Sequence, residues 1–257
     1  MLTELWNYRG FILASVKREF QAQYCKSILG ATWIVMNPLY MVVLYTSIFS
    51  HVMQTDTSNF SYTIYVASGL LTWNLFIDFL NKTETVYLNY ANIIRKLYFP
   101  HLCLPIIVLI MVWINFSVSF GIFSGYLIVT GAFPGWCYVA LIPILILQTF
   151  FALGLGNILG ILNVFFRDTG KMMVVLLQVW FWMTPIVYVA ENLPASMQRI
   201  IRLNPMTEII GAYQTILVKH QWPVWHALWY SIITITLLSL ILMLLYRRTM
   251  SEILDEL

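Results

Sequence analysis

The stretch LCLPIIVLIMVWINFSVSFGIFSGYLIVTGAFPGWCYVALIPILILQTFFALGLGNILGILNVFF, residues 102–166, contains no Asp, Glu, Lys or Arg. A hydrocarbon core about 30 Å thick needs roughly 20 mostly apolar residues per helix, so this run is too long for one crossing. Thr130-Gly-Ala-Phe-Pro-Gly135 places turn residues near its middle. The run therefore reads as two spans, residues 102–129 and 136–165. Working outward, four more apolar segments follow the same rule: 30–52, 62–80 with Asp78 near its end, 172–189, and 224–246. The expectation is an all-α integral membrane protein, one domain over residues 1–257, with six transmembrane helices and both termini on one side.

Composition agrees. Of 257 residues 60% are hydrophobic and 10% charged, against about 25% charged in soluble domains, and the mean hydropathy is +0.79. A net charge of +3 with no basic stripe or zinc-finger spacing gives no footprint for nucleic acid. Cys25, Cys103 and Cys137 are scattered and read as apolar fillers. The first apolar run, Phe11–Val16, is short and meets Lys17, Arg18 and Glu19 rather than a cleavage site, so no cleavable signal is expected.

Lysine and arginine placement orients the bundle. One side carries Arg9, Lys17, Arg18, Lys26, Lys82, Arg95, Lys96, Arg167, Lys171, Arg247 and Arg248; the other has only Arg199, Arg202 and Lys219. That bias of eleven to three predicts a multi-pass protein with both termini in the cytoplasm.

Three segments are neither spans nor minimal loops. In residues 1–27, Leu2, Leu5, Trp6, Ile12, Leu13, Val16 and Phe20 fall within an arc of about 120° at helical spacing, the pattern of an interfacial helix. Arg9 interrupts that apolar face. It reads either as a snorkelling side chain or as a guanidinium set to receive a phosphate from the leaflet. Residues 81–100 mix charge with apolar side chains, as in a surface docked by another protein or a helix lying on the membrane. Residues 185–223 hold two short helical stretches, 195–203 and 206–218, divided by Asn204-Pro205. Each is too short to span, so they read as a re-entrant pair forming an outer gate, or as an interfacial pair.

Catalytic chemistry is missing from the pattern. Asp78 has no companion acid, and His51, His101, His220 and His226 are dispersed without metal-ligand spacing. Gly170-Lys171 lacks the Ser/Thr and first Gly of a phosphate loop. The polar residues within spans (Asn37, Asn74, Asn115, Gln148, Asn157, Asn163, Gln178) read as interhelical hydrogen-bonding groups, and Gly154, Gly156 and Gly160 as close-packing positions. Tyr40, Tyr45, Trp73, Trp113, Trp180 and Trp182 lie well inside spans. Their faces suit either core packing or stacking on a passing glycan. A small-lipid or drug permease, a membrane glycosyl- or acyltransferase, and a scaffold are the rival classes; the transferase would need clustered acids or a His–acid pair, which the sequence lacks.

The run Tyr24-x-x-Ser27-x-Leu29-Gly30-x-x-Trp33, followed by Pro38, resembles the start of permease subunits of type-2 ABC exporters. The likeness is to the branch that moves O-antigen, capsule and teichoic acid. Asn92-Ile-Ile-Arg-Lys96 with Phe99-Pro100, Phe166-Arg-Asp168, Thr184-Pro185-Ile186-x-Tyr188 and Asn204-Pro205 agree in order. The resemblance implies a homodimer joined to two nucleotide-binding subunits that hold ATP and Mg, with no cofactor in this chain. The cargo would be a polysaccharide on a polyprenyl-pyrophosphate lipid, O-antigen above all. It further implies a pyrophosphate entrance at Arg9, Lys17, Arg18 and Lys26, and a glycan path along Tyr40, Tyr45, Trp73, Trp180 and Trp182. ATPase coupling would fall to Tyr87, Asn92, Arg95, Lys96, Arg167 and Asp168, and an outer gate to Pro185, Tyr188, Asn204 and Pro205.

Overall fold

The computed structural model describes residues 6–24, 30–33, 35, 36, 40, 43, 59–94 and 103–256. Among them there is no β-strand. Nine helices are named here in chain order: α1 (Arg9–Tyr24), α2 (Asn59–Asn89), α3 (Ala91–Ile94), α4 (Cys103–Val129), α5 (Leu141–Phe165), α6 (Thr169–Trp182), α7 (Ala195–Arg202), α8 (Pro205–Lys219) and α9 (Trp229–Glu256). Most of the expected first span lies outside the described residues, as do Lys26, Tyr45, Arg95 and Lys96.

Among the described residues four helical stretches are long and apolar enough to cross a membrane: Tyr62–Asn89, Cys103–Val129, Gly135–Phe165 and Trp225–Thr249. They correspond to four of the segments read from the sequence. The turn between the second and third is made by Gly131 and Gly135, whose φ angles of 73° and 63° suit a residue without a Cβ. Ala132 N bonds back to Leu127 O at 2.9 Å and closes α4.

Three boundaries differ from expectation, one of them the last helix, which continues past 246 to Glu256. The helix of the second span does not stop near Leu80 but continues to Asn89. No Pro or Gly follows Gly69 in it, and Thr83, Glu84, Val86 and Tyr87 are all buried, so packing holds the extension helical. The third is α6, which has 14 residues, about 21 Å of helix, and stops at Trp182 instead of reaching 189. Pro185 supplies no N–H and biases the residue before it away from the helical region.

At the centre, α2 lies along α5. A Cβ at Gly156 would stand 2.9 Å from Thr83 Cβ, and one at Gly160 would stand 2.7 Å from the Thr83 backbone oxygen. Backbones approach this closely only through small residues, a device common where lipid gives no hydrophobic drive between helices. Helix α9 packs on α5, and most of its apolar side chains, Ile233, Leu237, Leu240 and Leu244 among them, are exposed. Ile12 and Val16 of α1 are buried where that helix meets α4, while Leu13 is exposed.

Candidate functional site

The segment from Met183 to Lys219, at the end away from α1, is tied down by an interlocking set of hydrogen bonds. Asn204 is its hub. Its Oδ1 accepts from Trp180 Nε1 at 2.8 Å and from the Met206 N–H at 3.0 Å, capping α8. Its Nδ2 donates to Thr184 Oγ1 at 2.8 Å. Thr207 Oγ1 donates to Ile201 O at 2.9 Å, and Ser231 Oγ of α9 donates to Pro205 O at 3.0 Å. The two Pro-containing breaks, Thr184-Pro185 and Asn204-Pro205, are thus joined to each other.

Helix α2 holds the same segment from the other side. Tyr62 OH donates to Val187 O at 2.5 Å, and Tyr65 OH donates to Tyr188 O at 3.1 Å and Pro185 O at 3.3 Å. Gln214 Nε2 also donates to Pro185 O, at 3.3 Å. Tyr188 OH donates to Trp182 O at 2.9 Å. Carbonyls freed by the helix break therefore find partners inside the protein, the condition for irregular backbone at membrane depth. Pro185 and Asn204 are buried, and Tyr188 and Pro205 are half-buried. Burial raises the Glu208 carboxyl above its ordinary range, with Arg202 acting in opposition.

Beneath this segment lies an aromatic cluster. Trp73 and Trp180 meet edge-on at 6.4 Å, Phe76 stacks on Phe151 at 5.5 Å, and Phe181 stands 5.8 Å from Trp73. Trp73 is buried, whereas Trp182 is exposed and Tyr40 is exposed on helical backbone.

The opposite end holds the described charged residues expected at the entrance and on the coupling surface. Arg9, Lys17 and Arg18 lie exposed on α1. The Arg9 guanidinium rests 5.1 Å from the Trp6 ring centre and donates to Trp6 O at 3.1 Å; that of Arg18 lies 5.3 Å from the Tyr90 ring centre. Asn92 is in α3. Arg167 and Asp168 are exposed in the turn before α6, where Asp168 and Lys171 pair at 3.7 Å. Exposed pairs of this kind contribute little stability. Glu84 reaches this turn from α2, its Oε1 lying 2.6 Å from where a Gly170 Cβ would sit.

Tyr87 is not at the surface. It is fully buried, its hydroxyl bonded to Tyr246 OH and donating to Asn157 Oδ1 at 3.2 Å, so that α2, α5 and α9 share one polar contact. Gln148 Nε2 donates to Thr72 O at 2.7 Å higher in the same seam. Sequence reasoning gave no part in the Met183–Lys219 segment to Tyr62, Tyr65, Gln214 or Ser231. A tyrosine pair one helical turn apart at a span end was the available signal for the first two.

The family model for the ABC-2 type transporter matches residues 11–218. Among curated proteins, the O-antigen export system permease protein RfbA of Myxococcus xanthus is 32% identical over 226 residues, covering 87% of this chain and 86% of the relative. An O-antigen export system permease protein RfbA of Klebsiella pneumoniae is 28% identical over 209 residues, covering 81% and 80%. The match runs from α1 through α8 and includes the break residues 184, 185, 204 and 205 and most of the outer segment, leaving α9 beyond it: the chain belongs to the ABC-2 type transporter family of membrane proteins.

Proposed function

We propose that this chain is the membrane-spanning subunit of an ATP-driven exporter that carries a polyprenyl-pyrophosphate-linked polysaccharide, O-antigen, across the bacterial inner membrane. The observation that carries this reading is the alignment of relatives named as O-antigen export permeases over 81–87% of the chain. The chain performs no chemistry itself. Two copies would pair with two ATPase subunits, which hold ATP and Mg. The eleven-to-three cation bias supports cytoplasmic termini.

Within that frame, Arg9, Lys17, Arg18 and Lys26 would receive the pyrophosphate. Arg95, Lys96, Arg167 and Asp168 would meet the ATPase, and the contact of Glu84 with the Gly170 turn supports treating the end of α2 as part of that surface. The bonded Met183–Lys219 segment would close the outer side between transport events.

Deleting the gene tests the cargo. Loss of surface polysaccharide with lipid-linked polymer retained inside is the expected result; drug sensitivity with normal surface polymer would point to a small-molecule permease. Co-purification with an ATPase, and vanadate-sensitive hydrolysis by the complex, tests the partner. A chain that purifies free of any ATPase refutes it.

A further inference from the structure

A cavity of about 360 Å³ opens among α1, α4 and the end of α2, a volume at the lower end of the range for small-molecule sites. Its polar side is formed by Glu19 of α1 with Lys82 and Asn89 of α2 and Tyr90, the residue after that helix, and its other wall by Ile107 and Met111 of α4. Lys82 Nζ is buried and has no hydrogen-bond partner. Asp78, one turn earlier, and Glu19 are near enough to act on its charge without bonding to it. An ammonium held away from water with its donors unused is costly unless a ligand supplies acceptors.

The depth of the cavity narrows the ligand. Tyr62 to Lys82 covers twenty residues of one helix, about 30 Å, which is one hydrocarbon thickness. With Tyr62 at one interface, Lys82 stands at the headgroup level of the other. The Ile107 and Met111 wall then faces the first carbons of the acyl chains. Glu19 bears on the choice of headgroup: a purely anionic one would set a second negative charge beside this carboxylate, whereas a zwitterion satisfies both signs. The phosphate of such a headgroup would take the Lys82 donors and its ammonium would donate to Glu19.

We propose that this cavity binds the phosphoethanolamine headgroup of a membrane phospholipid, with Lys82 on the phosphate and Glu19 on the amine. The site borders the proposed entrance through Arg18, whose guanidinium lies over the Tyr90 ring, but it does not rest on the identity of the exported polymer. The experiment is native mass spectrometry of the intact chain released from nanodiscs of equimolar phosphatidylethanolamine and phosphatidylglycerol. Wild type should retain phosphatidylethanolamine over phosphatidylglycerol by about fivefold, equivalent to ~1 kcal/mol. Glu19→Gln should bring that ratio towards one, and Lys82→Met should lower total bound lipid. A wild-type ratio near one, or a ratio unchanged by Glu19→Gln, overturns the proposal and leaves only annular lipid. Glu19 is half exposed, so its variant keeps the test open if Lys82→Met fails to fold. Soluble phosphoethanolamine should displace the lipid poorly; displacement at comparable concentration overturns the assignment to a membrane lipid.

Discussion

Trp180 Nε1 donates to Asn204 Oδ1 at 2.8 Å across 24 residues of sequence. One amide thereby joins the end of α6 to the start of α8 and also caps α8 through the Met206 N–H. Asn204→Ala would strand the Trp180 indole N–H and remove that cap. The loss should be roughly 1–3 kcal/mol for the unsatisfied donor, with about 1 more for the cap. Trp180→Phe, which deletes the donor along with part of the ring, should cost less than Asn204→Ala. Thermal unfolding in detergent checks the order; equal stability of wild type and Asn204→Ala would mean the hub is not structural.

Close approach of α2 and α5 sets a second expectation. Gly160→Leu should destabilise by more than ~1–3 kcal/mol, the usual cost of overpacking, because the neighbours are the Thr83 carbonyl and the Tyr87 ring rather than a movable side-chain tip. Gly125→Ala, with nothing within 4 Å of its Cβ, should be neutral or slightly stabilising. Fluorescence-detected size exclusion after a heating series separates the two.

The buried hydroxyl pair of Tyr87 and Tyr246 lends itself to a double-mutant cycle. Tyr87→Phe, Tyr246→Phe and the double variant should show a coupling of roughly 1 kcal/mol, typical of hydrogen bonds between membrane helices. Strict additivity would show that the two hydroxyls contribute independently.

Glu84 and Gly170 offer a functional counterpart. A Cβ at Gly170 meets only the Glu84 carboxylate end, which swings away at small cost. Gly170→Ala should therefore leave the melting temperature nearly unchanged while displacing Glu84 from the turn. If the α2 end and this turn together receive the ATPase, export and transport-linked hydrolysis fall severalfold. Normal export in a well-folded Gly170→Ala protein would remove this contact from the coupling surface.

Much of the bundle was legible because it follows from one-dimensional physics. The uncharged run from Leu102 to Phe166, its central Gly-Pro turn, and the Pro breaks at 185 and 205 each mark an element without knowledge of neighbours. The extension of α2 was not legible. Lys82 and Glu84 look like loop charges when only their own chain is considered. The helix continues through them because Gly156 and Gly160 pack on their neighbours Thr83 and Tyr87, while Glu84 meets the start of α6 and Lys82 faces the cavity beside α1 and α4. Trp73 and Trp180 illustrate the same limit. Aromatic residues inside spans are equally suited to a sugar path and to a core, and only the tertiary contact shows these two edge to edge. The Met183–Lys219 segment was marked by its breaks, but the tyrosines and glutamine that hold it come from elements distant in sequence.

Helix α2 has 31 residues without a proline, a rod of about 46 Å. Near one end its tyrosines grip the carbonyls of residues 185, 187 and 188; near the other it touches the Gly170 turn and lines the Lys82 cavity. A rod of that length acts as a lever. A tilt of about 10° over ~40 Å carries its far end ~7 Å sideways, more than a hydrogen bond survives. Small rotations imposed at one membrane face are thus geometrically sufficient to unlatch the other, with no need for any residue in between to change its packing partners one by one.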